Sequence, residues 1–102
     1  MDAEVLAELL GTLVDIPSVT GRESAIAGFV AARLERRATG ECLRSGDAVV
    51  WRGPRRGRPL VVLAGHLDTV PAKGNERARR DGDRLHGLGA TDMKGGLAVM
   101  LG

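Results

Sequence analysis

The chain has 102 residues, a net charge of +2 and a composition that is 43% hydrophobic and 27% charged. These values are typical of a soluble globular chain with one domain at most. One cysteine, Cys42, leaves no partner for an internal disulfide and excludes a cysteine-based zinc knuckle. No apolar run approaches the ~20 residues that span a membrane. Because the N-terminus is also acidic, unlike that of a signal peptide, we expect a cytoplasmic protein with no membrane partner.

Two arginine-rich stretches, 52–58 and 77–84, could form an anion or nucleic-acid surface. Both stretches also contain glycine, proline or acidic residues, as solvated loops do. Phe29 and Trp51 are the only aromatic residues, so few side chains could stack on bases. The low net charge agrees with this, and we expect no nucleic-acid partner.

Two helices are predicted first. Apolar residues in 3–14 recur at helical spacing, with Asp2 as the N-cap and Pro17 ending the helix. Thr20 and Glu23 have the spacing of a capping box, which predicts a second helix from there to about Arg37.

The next segments predict strands. Residues 41–44 and 48–52 flank a turn-forming Ser-Gly-Asp sequence, and 84–86 form another candidate strand. The continuous apolar run 60–64 is typical of a strand that is buried on both faces. Residues 72–83 are expected to be irregular, and a helix-compatible apolar segment begins at Met93. This order of elements predicts an α/β fold with a mostly parallel sheet flanked by helices.

The most informative residues follow the apolar run, in 65–71 with the sequence GHLDTVP. In an extended chain His66 and Asp68 point the same way, with Cα atoms ~6.5 Å apart. Functional residues of α/β folds gather beyond the carboxyl ends of strands. Imidazole is a good zinc ligand, and a neighbouring carboxylate can fix its tautomer. A lone histidine at a strand end is also commonly structural, so both interpretations stay open.

A glycine-rich segment, 89–96 with the sequence GATDMKGG, carries a third polar residue, Asp92. Its carboxylate could bridge two cations, or the segment could be an ordinary turn. Lys94 could balance the charge of Asp92 or lie in solvent. A dinucleotide-binding Gly-x-Gly-x-x-Gly loop would need glycine where Asp92 stands, and a carboxylate would repel a pyrophosphate.

Together, 65–71 and 89–96 resemble the two N-terminal signatures of the M20 family of zinc peptidases and aminoacylases. The resemblance extends upstream to residues 14–18. It implies that His66 binds one zinc ion, that Asp92 bridges two, and that Asp68 holds His66 in place as a catalytic residue. It also implies a cis peptide after Asp92. His86 matches no ligand position of the family and is expected to be structural.

The resemblance further implies a hydrolase with two zinc ions per complete active site, or cobalt in their place, that acts on small N-acyl amino acids and forms a homodimer. Within the family, 63–101 most resembles actinobacterial succinyl-diaminopimelate desuccinylases of lysine biosynthesis. Acetylornithine deacetylases, dipeptidases and a non-catalytic fragment are the alternatives. We expect residues 1–102 to be the N-terminal portion of the catalytic domain. The general base, the other ligands and the dimerisation domain would then lie beyond Gly102, and this chain alone would be inactive.

Overall fold

The computed structural model describes residues 2–102. They form an α/β arrangement of helices and small antiparallel hairpins, which confirms the α/β class. In chain order the elements are α1 (Ala3–Asp15), α2 (Ser24–Glu35), β1 (Glu41–Ser45), β2 (Ala48–Arg52), β3 (Arg79–Asp81), β4 (Arg84–His86) and α3 (Gly95–Leu101). A wide turn, Ala90–Lys94, leads into α3. Within 2–102, no helix has the length and apolar character needed to cross a membrane.

The core lies where the three helices meet. Leu13 of α1 and Ile26 of α2 are both 0% exposed, and full burial of such a side chain contributes roughly 1.5–3 kcal/mol. The buried cluster comprises Leu9, Leu13, Ile26, Val30, Leu97, Ala98 and Leu101. This packing fixes α3, and hence the turn before it, against α1.

The structure confirms the predicted first helix, α1, with Asp2 as its N-cap. The carboxylate of Asp2 accepts a hydrogen bond of 2.9 Å from the amide of Val5, which satisfies one free N–H group of the first turn. The helix ends at Asp15, two residues before Pro17. Its C-terminus is important for the site, because the segment that follows reaches the segment of His66.

The predicted capping box of α2 is wrong. The helix begins at Ser24 with Glu23 at the N-cap position and no side-chain cap, and the Thr20 hydroxyl instead donates to Asp68. The carboxylate of Glu23 accepts from the amide of Gly21. The prediction failed because it considered only local partners, whereas the fold brings a stronger acceptor to Thr20 from 48 residues away.

Two hairpins account for the strands. β1 pairs with β2 in the predicted antiparallel arrangement, with Gly46 at φ 59° in the turn. β4 is also confirmed, but its partner β3 lies in the segment predicted to be irregular. β3 has only three residues, all of them charged, so its sequence shows no apolar pattern that would predict a strand.

The prediction of a buried strand at 60–64 is wrong for this structure. The segment belongs to no strand, and Val61 and Val62 are 79% and 72% exposed. The predicted mostly parallel sheet is likewise not present among residues 2–102, where the sheets are antiparallel and one isolated parallel bridge joins Val19 to Thr69. The physical reason is that a strand needs hydrogen-bonding neighbours, and no described segment pairs with 60–64.

Candidate functional site

The predicted site residues line one open cleft. It has a volume of about 440 Å³. Its walls come from four parts of the chain: the loop after α1, the segment around His66, Asn75, and residues 87–92 before α3. The lining residues are Thr20, His66, Asp68, Thr69, Val70, Asn75, Gly87, Leu88, Gly89, Ala90, Thr91 and Asp92.

A short parallel contact brings the first two parts together. The amide of Thr69 donates to the oxygen of Ser18 over 2.9 Å, and the amide of Thr20 donates to the oxygen of Thr69 over 3.1 Å. Thr69 is 5% exposed, so this contact is anchored in the interior. It fixes the chain directly after His66 and Asp68 to the loop that follows α1, although 60–64 is exposed.

The turn that carries Asp92 is held in place by its glycines and by Lys94. Gly89 has φ 79°, and a Cβ there would lie 2.7 Å from the Thr69 side chain, so another residue would push the turn away from His66. The Asp92–Met93 peptide is cis, as the resemblance implies. The amide of Lys94 closes the turn onto the oxygen of Gly89 at 2.8 Å.

The geometry brings His66, Asp68 and Asp92 together. Nε2 of His66 lies 2.9 Å from Oδ1 of Asp92, and Nδ1 lies 3.2 Å from Oδ1 of Asp68. Nε2 therefore faces the Asp92 carboxylate, and Nδ1 lies 3.2 Å from both the backbone oxygen and the carboxylate Oδ1 of Asp68. His86 is not part of this group: it lies on β4 opposite Arg79 and borders a second cavity of about 510 Å³.

The pKa values of His66 and Asp68 shift in the directions expected from these contacts. The hydrogen bond with Asp92 raises the pKa of His66, with smaller contributions from Asp68, while partial burial opposes the shift. The hydrogen bond from Thr20 is the main cause that lowers the pKa of Asp68. Without a metal ion, the neighbouring carboxylates therefore stabilise the charged form of His66 relative to a free imidazole.

The donor atoms fit part of a zinc site. Two ligands of a tetrahedral zinc ion lie about 3.3 Å apart, close to the 2.9 Å between His66 Nε2 and Asp92 Oδ1. The Asp92 side chain is 85% exposed, which leaves its carboxylate open on the other side. Among residues 2–102, no group of three or more His, Cys, Asp or Glu side chains could enclose a cation. His66 and Asp92 are thus two candidate ligands, fewer than the three protein ligands of catalytic zinc sites.

Two contributors to the site were missed from the sequence. The capping-box spacing predicts that Thr20 caps α2, whereas its hydroxyl donates to Asp68. The sequence leaves open whether Lys94 pairs with Asp92 or lies in solvent, and neither is correct: it is 2% exposed and donates through Nζ to the oxygen of Ile16 over 2.9 Å. Only the position of Lys94 directly before a buried apolar helix hinted at its burial.

Comparison with known proteins agrees with the motifs. The sequence model of the peptidase family M20/M25/M40 matches residues 62–102, which contain both signatures. The resemblance to the M20 family is confirmed. The matched region is also the one that contains His66, Asp68 and Asp92, so the similarity and the cleft coincide.

Curated relatives match nearly the whole chain. A Mycobacterium tuberculosis protein, provisionally named succinyl-diaminopimelate desuccinylase, is 50% identical over 95 residues, covering 92% of this chain and 27% of the relative. The succinyl-diaminopimelate desuccinylase of Corynebacterium glutamicum is 42% identical over 91 residues, covering 87% of this chain and 25% of the relative. The [LysW]-lysine hydrolase of Deinococcus radiodurans is 40% identical over 101 residues, covering 98% and 27%. The chain thus spans about a quarter of the length of these relatives.

Proposed function

We propose that this chain provides part of the active site of a zinc-dependent amide hydrolase of the M20 family. The reaction would be that of a succinyl-diaminopimelate desuccinylase, in which N-succinyl-LL-2,6-diaminopimelate and water give LL-2,6-diaminopimelate and succinate. The observation that supports it best is the 2.9 Å approach of His66 Nε2 to Asp92 Oδ1 within the matched region. The identity to the mycobacterial and corynebacterial proteins supports the substrate class.

In this proposal His66 and Asp92 hold the metal. The backbone oxygen and the carboxylate of Asp68 would hold the Nδ1 proton of His66 and so leave Nε2 free to bind a cation. Zinc, when bound, polarises the scissile carbonyl and lowers the pKa of the attacking water. Asp92 would also help to hold a second zinc ion, and cobalt could replace zinc. A glutamate outside residues 1–102 would take the proton of the attacking water.

We further propose that residues 1–102 correspond to the N-terminal portion of an M20 catalytic domain with a mostly parallel sheet, in a cytoplasmic homodimer with no nucleic-acid or membrane partner. The remaining ligands would come from elsewhere in that domain. Two ligand positions give weak metal binding and no turnover, so we expect the 102-residue chain alone to be inactive. Hydrolysis of N-succinyl-LL-2,6-diaminopimelate by the purified chain would contradict this.

Metal binding is tested by calorimetric titration of the purified chain with Zn²⁺. The wild type should bind weakly, and both His66→Gln and Asp92→Asn should weaken binding by about tenfold or more, which equals ~1.4 kcal/mol. His86→Gln and Asp83→Asn are matched controls, because both residues are exposed and lie outside the cleft. Equal losses in the controls would show that binding is nonspecific.

Catalytic competence requires a complete site. A chimera of the Corynebacterium glutamicum desuccinylase, in which this chain replaces the aligned segment, should hydrolyse the succinylated substrate. It should lose that activity with His66→Gln and keep it with His86→Gln. A folded, metal-loaded chimera with no activity would overturn the proposed role of the segment.

A second candidate is the hydrolysis of another acylated amino acid. The 40% identity to the [LysW]-lysine hydrolase favours it, since that match covers 98% of the chain. Acetylornithine and dipeptides belong in the same test. The rates at which the natural full-length product hydrolyses a panel of these substrates would separate the candidates. If the role is non-catalytic, no substrate of the panel would be hydrolysed.

A further inference from the structure

Thr20 lies at the junction between α1 and the candidate metal site. Its backbone amide is bonded to the oxygen of Thr69, so its side chain stands next to Asp68. Its hydroxyl donates to Oδ2 of Asp68 at 2.5 Å, whereas the alternative acceptor, the oxygen of Thr69, is 3.3 Å away. The shorter contact to a charged acceptor is the stronger one.

The two oxygens of the Asp68 carboxylate are thus divided between two partners. Oδ2 accepts from Thr20, and Oδ1 lies 3.2 Å from Nδ1 of His66, which is also 3.2 Å from the backbone oxygen of Asp68. A carboxylate that is held at one oxygen cannot rotate freely away from the imidazole. The Asp68 side chain is 34% exposed, so water would otherwise compete for both oxygens.

We propose that Thr20 is a positioning residue, which fixes the Asp68 carboxylate and through it the orientation of the His66 ring. The expected effect on metal affinity rests on the proposed function, whereas the contact between Thr20 and Asp68 does not. The role needs the hydroxyl group rather than the size of the side chain. Serine can therefore replace threonine, while valine, which has the same shape without the donor, cannot.

The first readout uses the metal-free chain and ¹⁵N NMR of the His66 ring. Thr20→Val should move the Nδ1 signal, because the Asp68 carboxylate loses its anchor, and Thr20→Ser should leave it near the wild-type position. Thr12→Val is the matched control: that hydroxyl donates to the oxygen of Glu8 on α1, away from the cleft. An Nδ1 signal that is the same in wild type and Thr20→Val would overturn the inference.

The second readout is Zn²⁺ affinity. Loss of a group that orients a metal ligand typically costs 10–100-fold in affinity, and Thr20 acts one step further away, so we expect about a tenfold loss in Thr20→Val with Thr20→Ser and Thr12→Val unchanged. If wild type binds no zinc, the proposed function fails, while the metal-free signals still decide the role of Thr20. Zinc binding that is equal in wild type and Thr20→Val would instead overturn the role of Thr20 alone.

Discussion

Lys94 reaches across the core and donates through Nζ to the backbone oxygen of Ile16 over 2.9 Å, with only 2% of the residue exposed. Burial lowers its pKa, and the carboxylate of Asp15 opposes that shift. Ile16 caps the C-terminus of α1, and Lys94 is the last residue of the turn that carries Asp92. One side chain therefore ties the candidate metal ligand to the first helix.

Lys94→Met should destabilise the chain by about 1–3 kcal/mol, because it keeps the aliphatic stem but leaves the Ile16 oxygen without its charged donor. Urea unfolding followed by circular dichroism measures the loss. Lys73→Met is the matched control at an exposed position and should stay within about 0.5 kcal/mol of the wild type. Equal stability of both variants would show that the Lys94 bond contributes nothing.

The pairing of His66 with its carboxylates should make stability depend on pH in a defined window. The pKa of His66 is raised, so its contribution is complete below its ordinary pKa and is lost as pH rises through the raised value. The pKa of Asp68 is lowered, so its contribution is present above its ordinary pKa and is lost as pH falls through the lowered value. In a pH series, the urea concentration at the unfolding midpoint should therefore fall as pH rises through the raised pKa of His66. It should also fall as pH decreases through the lowered pKa of Asp68.

His66→Gln should remove the loss at the alkaline side, and His86→Gln should leave it in place. A series that is the same for wild type and His66→Gln would contradict the assignment. Zn²⁺ affinity should change in the opposite direction, rising with pH through the raised pKa of His66, because a proton competes for Nε2.

The β3–β4 hairpin should depend on Asp15. Its Oδ1 accepts from the amide of Ala78 at 2.6 Å, just before β3 begins. Asp15→Ala leaves that amide without its acceptor and should weaken the attachment by about 1–3 kcal/mol. Hydrogen exchange of residues 78–86 should accelerate accordingly.

Asp15→Asn keeps an acceptor oxygen and should accelerate exchange less than Asp15→Ala. The exposed Asp83 provides a control through Asp83→Ala. Since Arg80 also pairs with both oxygens of Glu4 on α1, the hairpin should remain partly attached. Unchanged exchange in Asp15→Ala would show that the Glu4 pair alone holds it.

The exposed apolar segment 60–64 should promote self-association. Leu60, Val61, Val62 and Leu63 are 63–79% exposed in succession, and an apolar segment of β-forming residues without partners is an aggregation hazard. Val61→Lys should therefore reduce the weight-average mass in sedimentation velocity. Val99→Lys is the control, because Val99 is 67% exposed on α3 outside that run. An equal effect of both substitutions would indicate that added charge alone is responsible.

The sequence by itself determined the features that depend on neighbours a few residues apart. The Asp2 cap and apolar spacing specify α1, and Gly46 between two β-forming runs specifies the first hairpin. The helix and the hairpin follow from local backbone preferences and side-chain periodicity. The motifs around His66 and Asp92 indicated a resemblance to the M20 family, and that resemblance implied the candidate ligands.

Only the tertiary structure decided which distant groups meet. It brings Asp92 next to Nε2 of His66 and buries Lys94 against Ile16. It also directs the hydrogen bond of the Thr20 hydroxyl to Asp68 and not to the N-terminus of α2. It also left 60–64 exposed, since an apolar pattern states that a segment favours a strand but not whether a partner strand is present. Hydrogen bonds and pairing between remote segments depend on how the whole chain packs, and local patterns do not contain that information.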